Sequence, residues 1–176
     1  MYYLLAIKSI GILPVALAMG SFLFLIFLLS YHTLQKSFKE VEVCRENYLE
    51  AGKSKYQIAN SIVNILQEKG DESFSYDKIL SLGSTLMSTQ VSIEENIRAN
   101  VAVQKEIDLL QAVISNTPQL QQNTQIQGFL SQLQSKEKEY MVAYKKYAYN
   151  LKYYNNFVSK MPSKLVAQIA GFKKFA

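Results

Sequence analysis

The chain has 176 residues, with 19 Lys or Arg against 14 Asp or Glu, and its three prolines and seven glycines leave room for long helices. The single Cys44 excludes an internal disulfide and any zinc site built from several cysteines. The single His32 excludes a histidine-rich metal cluster, and Ser-His-Asp catalysis would depend on it alone.

The first candidate element is an uncharged segment from Ser9 to Tyr31. It is long enough to cross a hydrocarbon core of about 30 Å as a helix. A cleaved signal peptide, the alternative, has a shorter apolar core of about 7 to 15 residues. We therefore predict an uncleaved, single-pass membrane anchor in residues 1–31. The Lys and Arg residues on its two sides narrowly favour a cytoplasmic location for the rest of the chain.

Residues 32–176 are predicted to form one helical domain with three long helices. The first carries a heptad-like apolar stripe and ends near Gly70, the second runs from about Tyr76 to Ile114, and the third runs from about Ile126 to Val158. Pro162 ends the third helix. A short fourth helix then carries four apolar residues, Leu165, Val166, Ile169 and Phe172.

The predicted fold is therefore all-α: an N-terminal transmembrane helix, an antiparallel bundle of three long helices and a short C-terminal fourth helix. Short connections make consecutive helices antiparallel. The first helix then leaves the membrane, the second returns and the third leaves again. On this reasoning the fourth helix covers the end of the bundle farthest from the membrane, near residues 70–75.

Two charged residues, Arg45 and Glu137, fall on the predicted apolar stripes of the first and third helices. A buried charge requires a partner. If both helices rise from the membrane, the two residues lie at similar heights, which makes them candidates for a buried polar pair. The interpretation we favour is that each side chain leans to an edge and reaches water.

No catalytic, cofactor-binding or metal-binding residue is predicted. The carboxylates show no Glu-x-x-His arrangement, and Glu94 and Glu95 are interpreted as part of a solvated face. The C-terminal part is basic and rich in tyrosine, but Tyr140, Tyr144, Tyr147 and Tyr154 fall on the apolar stripe. We therefore expect no enzyme activity, no nucleic-acid partner, no small-molecule substrate and no cofactor.

Two segments of the C-terminal half have a recognisable pattern, namely "TPQLQQNTQIQGFLSQL" and "PSKLVAQIAGF". The first is similar to the "YPDLKAN" region of the LemA family, and the second is similar to that family's "PxNLIAxxFGF" ending, so this half of the chain resembles the LemA family. The first half departs from the family pattern, for example at Arg45 and in "QIANSIV" at 57–63, which points to a divergent branch. The main positions that carry the resemblance are Pro118, Leu120, Asn123, Tyr147, Tyr154, Asn155, Pro162, Leu165, Ala167, Gly171 and Phe172.

The resemblance implies a membrane-anchored antiparallel helical bundle in the bacterial inner membrane. One LemA-like branch works at the magnetosome membrane, which makes a specialised internal membrane an alternative location. The function we expect is that of a non-enzymatic scaffold or adaptor that contacts other membrane proteins. The alternative is a membrane-remodelling or lipid-sensing module, including one for magnetosome-type membrane formation.

Overall fold

The computed structural model describes residues 2–68 and 75–175, with side chains from residue 13 onward. All the regular elements in these residues are helices, which confirms the all-α prediction. The helices are α1 (Tyr2–Glu68), α2 (Tyr76–Met87), α3 (Ile93–Asn116), α4 (Pro118–Gln121), α5 (Thr124–Ser159) and α6 (Ser163–Ala170).

Helix α1 begins with the apolar segment predicted as the anchor. By length and composition this part of α1 is suitable for crossing a membrane. Its large side chains, among them Leu13, Phe22 and Leu29, are exposed rather than packed against the protein. These features fit a single-pass, membrane-anchored helical protein.

The chain folds into two compact units. The first unit comprises the chain up to Glu42 together with the segment from Ala148 onwards, and the second comprises Val43–Tyr147. Helices α1 and α5 contribute residues to both units. Aliphatic side chains from α1, α2, α3 and α5 form the core of the second unit, including Ile62, Ile79, Leu110, Ile126 and Leu133.

The buried stripe of α1 largely follows alternating spacings of three and four, as expected, but not through all the expected positions. It passes through Cys44 rather than Arg45, and between Tyr48 and Ala59 it includes Gly52 and Lys55. On α5 the best-buried positions recur every seven residues at Ile126, Leu133, Tyr140, Tyr147 and Tyr154. Tyr144, expected on the buried stripe, is exposed on the side of α5.

The second long helix predicted from the sequence is in fact two helices, α2 and α3, with a break at residues 88–92. A capping box starts α3: the Glu95 N–H donates to the Ser92 hydroxyl, and the Ser92 N–H donates to the Glu95 carboxylate, both at 3.2 Å. These bonds satisfy backbone donors that a helix start leaves free. Helices α2 and α3 pack against each other, with Lys78 Nζ 2.5 Å from Glu106 Oε1.

The break adds one reversal of the chain, which changes the direction in which α5 runs. Because α2 and α3 form a hairpin, α5 runs antiparallel to α1: Tyr48 meets Tyr140, and Lys55, further along α1, meets Glu137 earlier on α5. The predicted direction of the third long helix was therefore wrong. One unrecognised reversal between residues 88 and 92 inverted it.

The predicted position of the C-terminal segment was wrong for the same reason. The Phe172 ring lies 5.8 Å from the Tyr31 ring, and Phe175 stacks on Phe38 at 5.2 Å. The segment thus packs in the first unit beside the end of the apolar stretch, whereas the turn at residues 70–75 had been expected to receive it. Residues 69–74 of that turn lie outside the described residues.

Two glycines allow close helix contacts in the second unit, which generates a prediction. A Cβ on Gly83 would collide with the Tyr56 ring, and a Cβ on Gly52 would collide with the Asn100 side chain, whereas Gly128 has open space around it. We expect Gly83→Ala to lower the free energy of unfolding by about 1 to 3 kcal/mol through overpacking. The control Gly128→Ala should raise it by about 0.4 to 1 kcal/mol.

Thermal unfolding of the full chain in detergent, followed by circular dichroism, measures both effects. If Gly83→Ala proved as stable as Gly128→Ala, the close approach of α2 to Tyr56 would be refuted.

Candidate functional site

A cluster of tyrosines joins α1 to α5 in the second unit. The Tyr48 and Tyr140 hydroxyl oxygens are 2.9 Å apart, and the Tyr48 ring stacks on the Tyr147 ring with centroids 5.6 Å apart. Burial raises the pKa of Tyr48, Tyr140 and Tyr147, and the nearby Arg45 partly opposes this for the pKa of Tyr147. The neutral phenols are therefore strongly favoured, and the cluster acts as a hydrogen-bonded core.

Lys55 extends this polar core. Its side chain is 1% exposed, and its ammonium contacts the Glu137 carboxylate while lying 5.4 Å from the centroid of the Tyr140 ring. Burial lowers the pKa of Lys55 to about 8, and attraction to Asp108 opposes the change. The Glu137 side chain is 37% exposed, so it contacts both the buried ammonium and solvent.

Arg45 and Glu137 were candidates for a buried pair, but the lysine that contacts Glu137 is Lys55. In an antiparallel arrangement, positions early on α5 meet positions late on α1. Glu137 therefore reaches Lys55, while Arg45 lies close enough to Tyr147 to affect its pKa. Ten residues separate Arg45 from Lys55, which corresponds to about 15 Å along a helix. The candidate pairing depended on the assumption that both helices rise in the same direction, and the structure does not meet it.

The unequal exposure of Lys55 and Glu137 predicts unequal mutational effects. Glu137→Ala leaves a buried ammonium without its carboxylate, and we expect it to lower the free energy of unfolding by about 3 kcal/mol. Lys55→Met should have a smaller effect because Glu137 reaches water. In the double variant, loss of Glu137 should add little to the effect of Lys55→Met.

Denaturant unfolding of the full chain in detergent gives these values. Glu139→Ala is the matched control: Glu139 pairs with Lys136 at 2.6 Å on the exposed surface, so its loss should cost less than about 1 kcal/mol. Equal effects of Glu137→Ala and Glu139→Ala would contradict a buried ion pair.

The buried phenols also predict how stability depends on pH. The pKa is raised for Tyr48, Tyr56, Tyr140, Tyr147 and Tyr154. Unfolded tyrosine ionises near pH 10. Below that pH the stabilisation is fully present, and above it the unfolded state releases protons that the folded state keeps. Stability should therefore fall by about 1.4 kcal/mol per pH unit for each tyrosine that stays neutral in the folded state.

Unfolding measured between pH 9 and pH 11 tests this dependence. Tyr140→Phe should flatten the fall, whereas the same change at the exposed Tyr149 should not. A stability that stays constant across pH 10 would show that the phenols are not buried.

A shallow groove lies between α1 and α5 in the second unit. Within it, Val142 is 66% exposed. The groove is lined by Asn47, Lys138, Glu139, Val142, Ala143 and Lys146. Because Lys138, Val142 and Lys146 follow one another at intervals of four, they form a single ridge of α5 with an apolar centre and basic ends.

A second, more polar hollow lies in the first unit. It includes His32, Lys36 and Glu40 from α1 together with Tyr149 and Tyr153 from α5. In residues 13–68 and 75–175, no three His, Cys, Asp or Glu side chains come together in a group that could hold a metal ion.

The positions that carry the LemA resemblance fall in two groups, one at the start and in the core of α5 and the other around the C-terminal segment. In the second unit, Pro118 begins α4, Leu120 is buried, and the Asn123 side chain accepts from the N–H of Gln125 at 3.0 Å and of Ile126 at 3.2 Å, which caps α5. Tyr147 belongs to the tyrosine cluster. These residues determine how the chain enters and packs α5.

The other positions hold the C-terminal segment in the first unit. The Tyr154 hydroxyl donates to the Lys173 carbonyl at 2.8 Å, and the Asn155 amide exchanges two bonds with the Phe175 backbone at 3.0 and 3.1 Å. Gly171 adopts a left-handed conformation, with φ 78°, that ends α6. Pro162 precedes α6, Ala167 is buried, and Leu165 is exposed.

Comparison with known proteins gives one match. The model of the LemA family matches residues 47–176. This match includes the divergent segment 57–63 as well as the C-terminal half in which the motifs are most evident. No curated protein and no solved structure matches the chain.

Proposed function

Because the chain belongs to the LemA family and begins with a helix long enough to cross a membrane, we propose that it is a membrane-anchored, non-enzymatic scaffold. In this proposal its helical part lies on the cytoplasmic side of a bacterial inner membrane. It binds an acidic, amphipathic helix of another membrane protein in the groove between α1 and α5.

The observation that carries the proposal is the exposed apolar centre of this groove. An amphipathic helix binds by placing apolar residues, spaced three or four apart, into a hydrophobic groove. Val142, which is 66% exposed, offers such a contact, with Ala143 beside it on α5. Full burial of a valine contributes about 1.5 kcal/mol or more, which supplies part of a modest affinity.

The charge of the chain supports an acidic partner. Residues 136–176 contain nine Lys against two Glu, and both of these glutamates have lysine partners. Lys138 lines the groove and Lys145 lies exposed nearby on α5. Basic side chains at the rim favour acidic partners and accelerate their association.

The contacts that join α1 to α5 support a preformed binding surface. The bond between the Tyr48 and Tyr140 hydroxyls and the ion pair of Lys55 with Glu137 connect the two helices whose residues line the groove. A surface that does not reorganise on binding avoids the associated entropy cost. A shallow groove of this kind is therefore sufficient for a specific contact.

Photocrosslinking in the membranes of the source cell tests the proposal. A photoreactive amino acid at Asn47 should form a discrete adduct with a partner protein, and Val142→Glu should reduce the yield of that adduct at least about tenfold, because it places a charge in the apolar centre and repels an acidic helix. The control Gln132→Glu alters an exposed position of α5 outside the groove and should leave the yield unchanged.

Two results would refute the groove as the docking site. One is an adduct at Asn47 whose yield is insensitive to Val142→Glu. The other is the same adduct formed equally well from a photoreactive residue at Gln132.

A further inference from the structure

The exposed side of α6 is unusually apolar. Leu165 is 51% exposed and Ile169 is 74% exposed, although Val166 and Ala167 on the opposite side are buried. Leu165 and Ile169 lie four residues apart, which aligns them as one ridge. Met161 is also exposed just before this helix. A short helix that buries one side in its own unit and presents large aliphatic side chains on the other has a second surface to cover.

The position of α6 indicates what covers that surface. Phe172, directly after the glycine that ends α6, packs its ring on Tyr31, and Tyr31 closes the apolar segment of α1. Phe175 packs on Phe38 and Tyr154 within the same unit. The C-terminal segment is thereby held beside the residue at which α1 passes from apolar to polar sequence, where a spanning helix emerges from the lipid.

The charges around α6 agree with this position. Lysines flank the ridge on both sides, and no acidic residue follows Glu139 in the chain. The flanking lysines are all exposed: Lys160, Lys164, Lys173 and Lys174. Helices that lie in the plane of a membrane combine an apolar face with Lys or Arg residues that reach the phosphates. Anionic lipids attract such lysines.

We propose that α6 lies on the surface of the bilayer, with Leu165 and Ile169 among the acyl chains near the head groups and the flanking lysines at lipid phosphates. The inference rests on the anchoring role proposed above for α1, and it does not depend on the groove between α1 and α5. The surface of α6 is then a lipid-binding site with a preference for anionic lipids.

The hydrogen bonds of the tail make this contact a structural constraint on the first unit. Tyr154 and Asn155 bind the backbone of Lys173 and Phe175, so the segment after α6 is fixed to α5. Lipid contact by α6 therefore attaches α5 to the membrane as well. The first unit would be held to the bilayer at two points, namely the spanning part of α1 and the ridge of α6.

Spin labels on the full chain in vesicles test the proposal. In a Cys44→Ala background, single cysteines replace Leu165, Ile169, Leu23 or Gln132, and the protein is reconstituted in vesicles of phosphatidylcholine and phosphatidylglycerol in equal parts. Leu23 reports on the apolar segment, and Gln132 is a water-exposed control. Labels at 165 and 169 should resemble the label at 23: accessible to oxygen and shielded from a water-soluble nickel complex. The label at 132 should show the reverse.

Three results would overturn the proposal. Labels at 165 and 169 that behave like the label at 132, while the label at 23 lies in lipid, would place α6 in water. Spin–spin broadening at 165 and 169 that disappears on dilution with unlabelled protein would show that a second copy covers the ridge. A label at 23 in water would refute the anchor itself. Far-ultraviolet circular dichroism of each variant verifies that the helices are intact.

The lysines provide an independent test of the lipid preference. Replacing Lys164 and Lys174 by Gln should increase access of the nickel complex to labels at 165 and 169 in the anionic vesicles. The change should be smaller in vesicles of phosphatidylcholine alone. Lys152→Gln, at an exposed position on α5, is the matched control and should have no effect. Equal effects in both kinds of vesicle would contradict an electrostatic contact with lipid phosphates.

Discussion

The contact between Lys55 and Glu137 fixes how α1 and α5 align. An ammonium that is 1% exposed loses most of its hydration, and a carboxylate has to compensate for that loss. A shift of α5 by one helical turn, about 5.4 Å, would move Glu137 away and leave the charge alone in the core. Aliphatic stripes tolerate such a shift more easily, because one methyl group can replace another. The ion pair therefore adds specificity of register, and the tyrosine contacts reinforce the same alignment.

The other elements of the second unit depend on this alignment. Two glycines permit close contacts of α2 and α3 with α1. Gly52 on α1 faces Asn100 on α3, and Gly83 on α2 faces Tyr56 on α1. The Asn100 amide donates to the Tyr48 carbonyl at 3.4 Å, so α3 approaches the same stretch of α1 that carries the tyrosine cluster. Polar groups thus position a core that is otherwise aliphatic.

The sequence was sufficient to predict the helices, the apolar segment and the family, because period, breakers and motifs are local signals. Two features, the break between α2 and α3 and the burial of Lys55, could not be predicted from local signals. Ser92 and Glu95 have the spacing of a capping box, yet the apolar residues on both sides continue a helical period and hide the break. Lys55 lies on the heptad stripe between Tyr48 and Ala59, but a lysine is normally interpreted as solvated. Its burial depends on Glu137, and that contact depends on the direction of α5.

The direction of α5 also explains why α6 exposes the apolar side chains Leu165 and Ile169. Had three long helices alternated, the apolar C-terminal segment would have closed the end of the bundle remote from the membrane, and its four apolar residues would have shared one buried face. In the antiparallel arrangement the segment returns to Tyr31, where Val166 and Phe172 find protein partners and Leu165 and Ile169 do not. A helix that packs on protein alone does not need apolar side chains on both of its sides. A helix that packs on protein with one side and on lipid with the other does. The single reversal at residues 88–92 therefore determines whether this segment closes a core or meets a membrane.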